Sequence, residues 1–435
     1  MLRLLYTIAV YLATPVILWR LAVRGLRYRG YFRRWRERFG HFPDPGLRGC
    51  IWVHAVSVGE VNAAQPLIEA LQRRFAPQPL VVTSVTPTGS ERVRKLFGDS
   101  VFHVYLPYDL PSAVARFLDR IRPSLAVVME TEIWPNLFHQ CGRRGIPLAI
   151  VNARLSERSL RGYRPILPLV RQALANVSLI TAQSQADARR YHALGADPSR
   201  VRVCGNLKYD MPLPTQARAQ GYALRVIWGA RPVWIAASTH EGEDAAVLEA
   251  HRQVLAGNPA ALLLVAARHP ERFREVEHAA RECGFTVATH TGGNAGPDTQ
   301  CLVIDAMGVM LRYYAASDVA FVGGSLVPVG GHNVLEPAAL SRPVLVGPHT
   351  FNFDEITSAL IDMGGAQRVA STQELGAAVL ELFGDPVELA RMGAAAHAVC
   401  ARERGAVRRT MVLLGRIFAR TRFAGAAPPI TAAGR

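Results

Sequence analysis

Short apolar runs alternate with stretches of helical periodicity along almost the whole chain, and this rhythm restricts the fold more than any other feature. It begins at Ile51–Val58, which leads into an expected helix over Asn62–Phe75. It continues through apolar runs at Leu80–Val85, Val101–Leu106, Leu125–Met129, Pro147–Val151, Leu179–Ala182 and Val201–Gly205. Runs without polar alternation suit strands buried on both faces, and strands spaced by helices give a parallel, doubly wound sheet. The rhythm breaks at Asp210–Pro232, where Met-Pro-Leu-Pro occurs, and a second series follows: Val233–Ala237, Ala261–Ala267, Phe285–Thr289, Leu302–Ile304, Val319–Val322 and Val344–Val346. At 435 residues the chain exceeds one ordinary core and suits two domains. The expected fold class is therefore α/β, with two Rossmann-like doubly wound domains facing a cleft and an N-terminal membrane-associated helix. The expected boundaries are an N-terminal segment 1–40, a first domain 41–210, a linker 211–232, a second domain 233–410 and a C-terminal helix end and tail 411–435.

Hydrophobic residues make up 50% of the chain and charged residues 19%, which excludes a disordered protein. The formal net charge of +16 calls for an anionic partner. No nucleic-acid-binding module accompanies that charge, so nucleic acid is not expected as the partner. The six cysteines lack CxxC or metal-ligand spacing and read as reduced thiols. Lysines occur only at positions 95 and 208, so arginine carries nearly all of the positive charge. Leu4–Trp19 contains no charged residue and is followed by a basic, aromatic stretch from Arg24 to Arg38. That pattern opposes a cleaved signal peptide; a buried helix of the globular domain is one reading, and an anchor spanning a membrane or lying in its interface, with the arginines against anionic headgroups, suits it better.

Candidate chemistry clusters at expected strand ends. In His54-Ala-Val-Ser57-Val-Gly59-Glu60, the glutamate falls at a helix N-terminus, where the dipole favours an ionised carboxylate able to act as a general base. Met129-Glu130-Thr131-Glu132 puts two carboxylates after a buried strand; a metal reading of Glu-x-Glu lacks a neighbouring His/Asp cluster. Gly205-Asn206-Leu207-Lys208 offers an ammonium to stabilise a leaving phosphate. In the second series, Arg268 and His269 end one strand and Asp305-Ala-Met307-Gly308-Val309 ends another. Gly323-Gly324-Ser325 and Gly330-Gly331-His332-Asn333-Val334-Leu335-Glu336 then supply glycine-rich strand-to-helix turns of the phosphate-binding kind. Glu336 is placed to accept from ribose hydroxyls. Neither GxGxxG nor GxxxxGK[ST] occurs, which argues against NAD and ATP.

The stretches HAVSVGEVNAAQPLI, TSVTPTGSERV, METEIWPNL, NARLSERS, GNLKYD, STHEGE, RHPERF, FVGGSLVPVGGHNVLEPA and GPHTFNF resemble the 3-deoxy-D-manno-octulosonic acid (Kdo) transferases of Gram-negative bacteria, glycosyltransferase family 30. The resemblance runs from the N-terminal segment to about residue 355. It implies an inverting, metal-independent enzyme of the GT-B fold, without a cofactor. It implies transfer of Kdo from CMP-Kdo to the tetraacylated, bisphosphorylated lipid A precursor, at the cytoplasmic face of the inner membrane and among its anionic lipids. It assigns Glu60 as acceptor-activating base, and Glu130 and Lys208 as transition-state stabilisers. CMP contacts fall to Arg268 and His269, to Met307, Gly308 and Val309, and to Asn333, Val334, Leu335 and Glu336. Many relatives read Met-Gly-Glu-Leu where this chain has Met307-Gly308-Val309-Met310, so Val309 serves only if the contact is through the backbone. The same fold with a UDP-sugar donor is the competing expectation.

Overall fold

The computed structural model describes residues 1–211, 216–293 and 295–424, and the chain divides into two compact units. The first unit comprises residues 1–211 with the chain from Arg404 onward; the second is the intervening segment up to Glu403.

The first unit is built on seven strands: β1 (Cys50–His54), β2 (Leu80–Ser84), β3 (Phe102–Tyr105), β4 (Pro123–Met129), β5 (Leu148–Ala153), β6 (Leu179–Ala182) and β7 (Val201–Val203). They lie in the order β3-β2-β1-β4-β5-β6-β7, all parallel. Every residue of β1 and β2 is buried, as the unbroken apolar runs require. Trp52 sits in the core on one face with Phe117 and Phe138; Ile51, Val53 and Leu67 fill the other. Each such side chain contributes about 1.5–3 kcal/mol by leaving water.

The second unit repeats the plan with β8 (Val233–Thr239), β9 (Leu262–Ala267), β10 (Val287–Thr289), β11 (Cys301–Val303), β12 (Val319–Val322), β13 (Val344–Val346) and β14 (Ala366–Arg368). Their order is β10-β11-β9-β8-β12-β13-β14, again parallel. The order in which strands are added reverses between β1 and β4 in one sheet and between β8 and β12 in the other. At such switch points the loops splay apart beyond the carboxyl ends of the strands and leave room for ligands.

Two segments differ from the sequence reading. Within the expected 211–232 linker, helix Gln216–Trp228 buries Ala217, Leu224 and Trp228 in the second unit; the Pro residues of Met-Pro-Leu-Pro lie outside the described residues. The expected tail 411–435 is, as far as it is described, part of helix Ala406–Ala424, which packs on the first unit and not after the second. Ala406, Leu414 and Phe418 join the core around Val61, Leu67 and Leu71, and the Phe75 and Phe418 rings stand 4.8 Å apart. Asp210 accepts from the backbone N–H groups of Gly405 and Val407, each at 2.6 Å. These contacts join residues some 200 positions apart, so no local pattern announces them. Residues 291–299 form turns between β10 and β11, with Asn294 outside the described residues.

The N-terminal helix runs from Leu2 to Arg27, longer at both ends than the uncharged stretch. Arg3, Tyr6, Thr7, Val10, Thr14, Ile17 and Leu21, spaced at helical intervals, form its half-buried stripe. Tyr6 donates to Asp109 at 3.0 Å and Thr7 to Asn136 at 3.0 Å, while just past the other end Tyr28 donates to Glu91 at 2.8 Å. Both ends are thus tied to the same unit. The remaining surface exposes Leu4, Leu5, Ile8, Leu12, Val16 and Trp19.

Leu414→Ala opens a cavity in the first unit's fully buried core, which costs about 2–5 kcal/mol. Denaturant unfolding of the full chain followed by circular dichroism is expected to show an earlier transition for the first unit with the second unit's transition unmoved.

Candidate active site

In the first unit the site forms where β1 and β4 diverge. β1 ends at His54, Ser57 takes the extended N-cap conformation, and helix Val58–Phe75 begins, with Glu60 in its first turn. The glutamate folds back so that Oε2 accepts from the Val56 N–H at 2.9 Å. Glu130 follows β4 with φ +54°, a left-handed conformation costing about 1–2 kcal/mol for a residue with a side chain. Its backbone is pinned on both sides: its N–H donates to Val151 O at 2.9 Å and its carbonyl accepts from Tyr191 Oη at 3.1 Å. Lys208 lies in the 3-10 turn Leu207–Asp210. That turn is held by two asparagines: Asn152 Oδ1 accepts from Leu207 N at 2.9 Å and Asn206 Oδ1 from Lys208 N at 3.0 Å. Asn152 is itself buried at φ +53°.

These residues meet electrostatically. Burial pushes the Glu60 carboxyl up to about 8; the Val56 N–H opposes this, the charges of Glu130 and Glu132 add to it, and Lys208 counters. This corrects the expectation of a carboxylate kept ionised by the helix dipole: desolvation and like charges outweigh one backbone donor. Glu132 accepts from Trp134 Nε1 at 2.9 Å, and burial raises its carboxyl too. His54 is not a base. It is buried, held at 2.9 Å from Thr83 Oγ1, and pushed down to about 3 by desolvation. Among the described residues no group of three or more His, Cys, Asp and Glu is placed to hold a metal ion.

In the second unit the switch point is organised by Glu243, which the sequence reading quoted but gave no role. Its buried carboxylate accepts four backbone N–H groups: His240 at 2.9 Å, Gly324 at 2.6 Å, Ser325 at 3.0 Å and Leu326 at 2.9 Å. One carboxylate thereby sews the end of β8 to the loop after β12. Gly323 is required there, because a Cβ would lie 2.8 Å from Ser238 O.

Around this knot stand Arg268 and His269, which follow β9, and two histidines not singled out from sequence, His240 and His332. The Arg268 N–H donates to Thr239 O at 2.9 Å. His240 stacks on His332 with Nε2 atoms 2.7 Å apart, and His269 meets His240 edge-on at 5.3 Å. Burial pushes His332 down to about 4, with the charges of Arg268, His240 and His269 adding to the fall, and burial lowers His240 as well. The stacked pair is therefore neutral near pH 7, one Nε2 donating and the other accepting, and the positive charge belongs to Arg268. Such a floor offers a guanidinium and imidazole N–H groups to an anion.

Asn333 caps the short helix Leu335–Ala339: Oδ1 accepts from Leu335 N at 3.1 Å and Nδ2 donates to Glu336 Oε1 at 3.0 Å. Val334 and Leu335 bury their side chains, so only their backbone is available to a ligand. Met307 is exposed, Gly308 adopts φ +86°, and Val309 occupies the N-cap position of helix Met310–Ala316 while its side chain packs on the core. Val309 likewise has only backbone to offer. The structure thus brings Glu60, Glu130 and Lys208 together in one unit and Arg268 and His269 together in the other. Asn333 and Glu336 pair with each other, and Met307–Val309 form a separate turn after β11.

Two Rossmann-like units, each with a polar cluster at its switch point, define the GT-B fold. A UDP-GlcNAc 2-epimerase from Neisseria meningitidis bound to UDP-GlcNAc shares it, with TM-score 0.58 at 15% identity over 84% of this chain and 99% of that one. The chain belongs to the 3-deoxy-D-manno-octulosonic acid transferases. It is 42% identical to the 3-deoxy-D-manno-octulosonic acid transferase of Haemophilus influenzae over 95% of this chain and 98% of that protein. It is 38% identical to that of Bordetella pertussis over 94% and 98%. The family model described as 3-Deoxy-D-manno-octulosonic-acid transferase (kdotransferase) matches residues 33–211.

The raised Glu60 pKa carries a stability signature. Its folded value of about 8 exceeds the ordinary 4.5, so its stabilising contribution is complete below pH 4.5 and lost as pH rises to 8. Glu60→Gln never ionises. Urea unfolding is expected to show the variant gaining on the parent between pH 5 and pH 9, with the gain levelling above about pH 8.

Proposed function

We propose that this Kdo transferase takes the sugar from CMP-Kdo and adds it, with inversion, to the tetraacyldisaccharide 1,4'-bisphosphate precursor of lipid A. The observation that carries the reading is the convergence of Glu60, Glu130 and Lys208 at one switch point. Ionised Glu60 takes the proton of the acceptor hydroxyl as its oxygen bonds to the anomeric carbon. The bond from that carbon to the CMP phosphate oxygen breaks, and its electron pair leaves with CMP. Lys208 and Glu130 stabilise the charges that develop. Arg268, His269, Asn333 and Glu336, with the backbone of Met307, Gly308, Val309, Val334 and Leu335, hold the nucleotide. No cofactor or metal takes part. A base with a pKa near working pH combines an accessible ionised form with strong proton affinity.

The N-terminal helix lies in the membrane interface at the cytoplasmic face of the inner membrane. Supporting this, it is fastened to one unit near both ends, at Tyr6 and Tyr28 about 33 Å apart, and its outer face is largely apolar. A helix tied down at both ends on one side does not cross a bilayer. The arginines that follow it suit anionic headgroups and an acceptor with two phosphates.

Glu60→Ala is expected to cut transfer by about 10²–10⁴-fold or more in a folded protein. The parent's kcat/KM is expected to climb as pH approaches about 8. Mass spectrometry of the lipid product reads both, and near-normal turnover by the variant removes Glu60 as the base.

Transfer is expected to persist in excess EDTA and to be inhibited by CMP but not UDP. Inhibition by UDP alone would favour a UDP-sugar donor.

A further inference from the structure

At the edge of the second sheet opposite Arg268 and Asn333 lies a cavity whose lining charges do not balance. Its volume is about 400 Å³ and its lining includes Arg218, Tyr222, Arg225, Asp318, Leu340 and Arg342. Asp318 directly precedes β12, and its Oδ2 accepts from the N–H of Val233, the first residue of β8, at 2.8 Å. The cavity therefore sits at the amino ends of the strands, away from the switch-point loops.

Three guanidinium groups face one carboxylate here. Asp318 is committed: Arg225 Nη2 donates to both of its oxygens, at 3.1 and 3.2 Å, and the Val233 N–H takes a further share. Among the described residues, Arg218 and Arg342 then have no carboxylate of their own in ion-pair contact, three cations against one anion leaving two positive charges. Arg342 Nη2 donates to Ala315 O at 3.1 Å and Arg218 Nη2 reaches Ala339 O at 3.4 Å. Arg342 Nε is buried with no hydrogen-bond partner. Burial lowers the pKa of Arg342; Asp318 opposes this, while Arg225 and Arg218 push the same way as burial. A half-buried guanidinium with a buried, idle Nε, sharing one carboxylate with two like charges, leaves positive charge for an anion to meet.

We propose that this cavity is a binding site for a phosphoryl dianion, with Arg218 and Arg342 as its principal ligands. Planar guanidinium groups pair bidentately with phosphate oxygens, and two of them match a dianion in charge. Tyr222, exposed at 73%, stands at the mouth, with Val226 exposed one turn along the same helix. An organic remainder of the ligand can rest on that apolar rim. The phosphoryl group can come from a free phosphate or from a lipid headgroup. The site uses none of the transfer chemistry above and stands or falls without it.

The test uses the full chain carrying Arg268→Ala, which removes the main cation at the carboxyl-edge site. Millimolar inorganic phosphate is expected to raise its Tm by a few degrees relative to chloride of matched ionic strength, and adding Arg218→Gln is expected to abolish the rise. Equal rises with and without Arg218→Gln overturn the proposal. Because Arg218→Gln can lower the baseline Tm, phosphorus NMR below both transitions repeats the comparison. Phosphate line broadening that Arg218→Gln removes supports the site, and unchanged broadening rejects it. Flotation with phosphatidylcholine vesicles, with and without phosphatidic acid, assigns the source. Weaker retention of Arg218→Gln on the phosphatidic acid vesicles marks a headgroup site; unchanged retention together with a lost phosphate response marks a soluble phosphate.

Discussion

Parallel strands must all end at the same edge of their sheet, and this constraint governs both units. Burying β1, β4, β8 and β12 on both faces sends their connections through helices, and the parallel arrangement delivers every strand's carboxyl end to one rim. Reversing strand order between β1 and β4, and between β8 and β12, opens that rim at one place in each sheet. Glu60 follows β1 and Glu130 follows β4; His240 follows β8 and Gly323-Gly324 follow β12. Residues far apart in sequence become neighbours because the topology leaves their loops nowhere else to go.

The two rims manage charge in opposite ways. The first gathers carboxylates in a largely desolvated setting, so that burial and mutual repulsion lift Glu60 and burial lifts Glu132. Such an environment makes a base strong at the expense of the ionised population. The second commits its buried carboxylate, Glu243, to four backbone N–H groups and keeps the stacked His240–His332 pair neutral. Arg268 is left as the net charge presented there. One rim concentrates buried carboxylates and the other a cation beside neutral imidazoles.

The N-terminal helix reverses the usual amphipathic rule. Its inward stripe includes Arg3, Tyr6 and Thr7, which hydrogen-bond to Asp109 and Asn136, and its outward face is aliphatic and aromatic up to Trp19, with Arg20 and Arg24 exposed beyond it. Asp109 also receives the N–H groups of Asn136 and Leu137 at the start of helix Pro135–Arg143. The outward apolar surface gains nothing from water, which is the physical basis for placing it in lipid.

Apolar runs spaced by helical periodicity determined the two parallel sheets, because strands buried on both faces admit no polar alternation. The same reading put Glu60, Glu130, Lys208, Arg268 and His269 at strand ends, since βα turns follow directly from that rhythm. Local pattern carried no trace of Glu243 as the knot of the second rim, nor of Asn152 as the holder of the Lys208 turn. Each acts on backbone groups tens of residues away. The docking of the C-terminal helix on the first unit was equally silent, because its Leu414 and Phe418 look like any amphipathic stripe until that unit's core is there to receive them. The protonation of Glu60 was misjudged for the same reason. A helix N-terminus is visible in sequence, whereas desolvation and the approach of Glu130 and Glu132 exist only once the chain has folded.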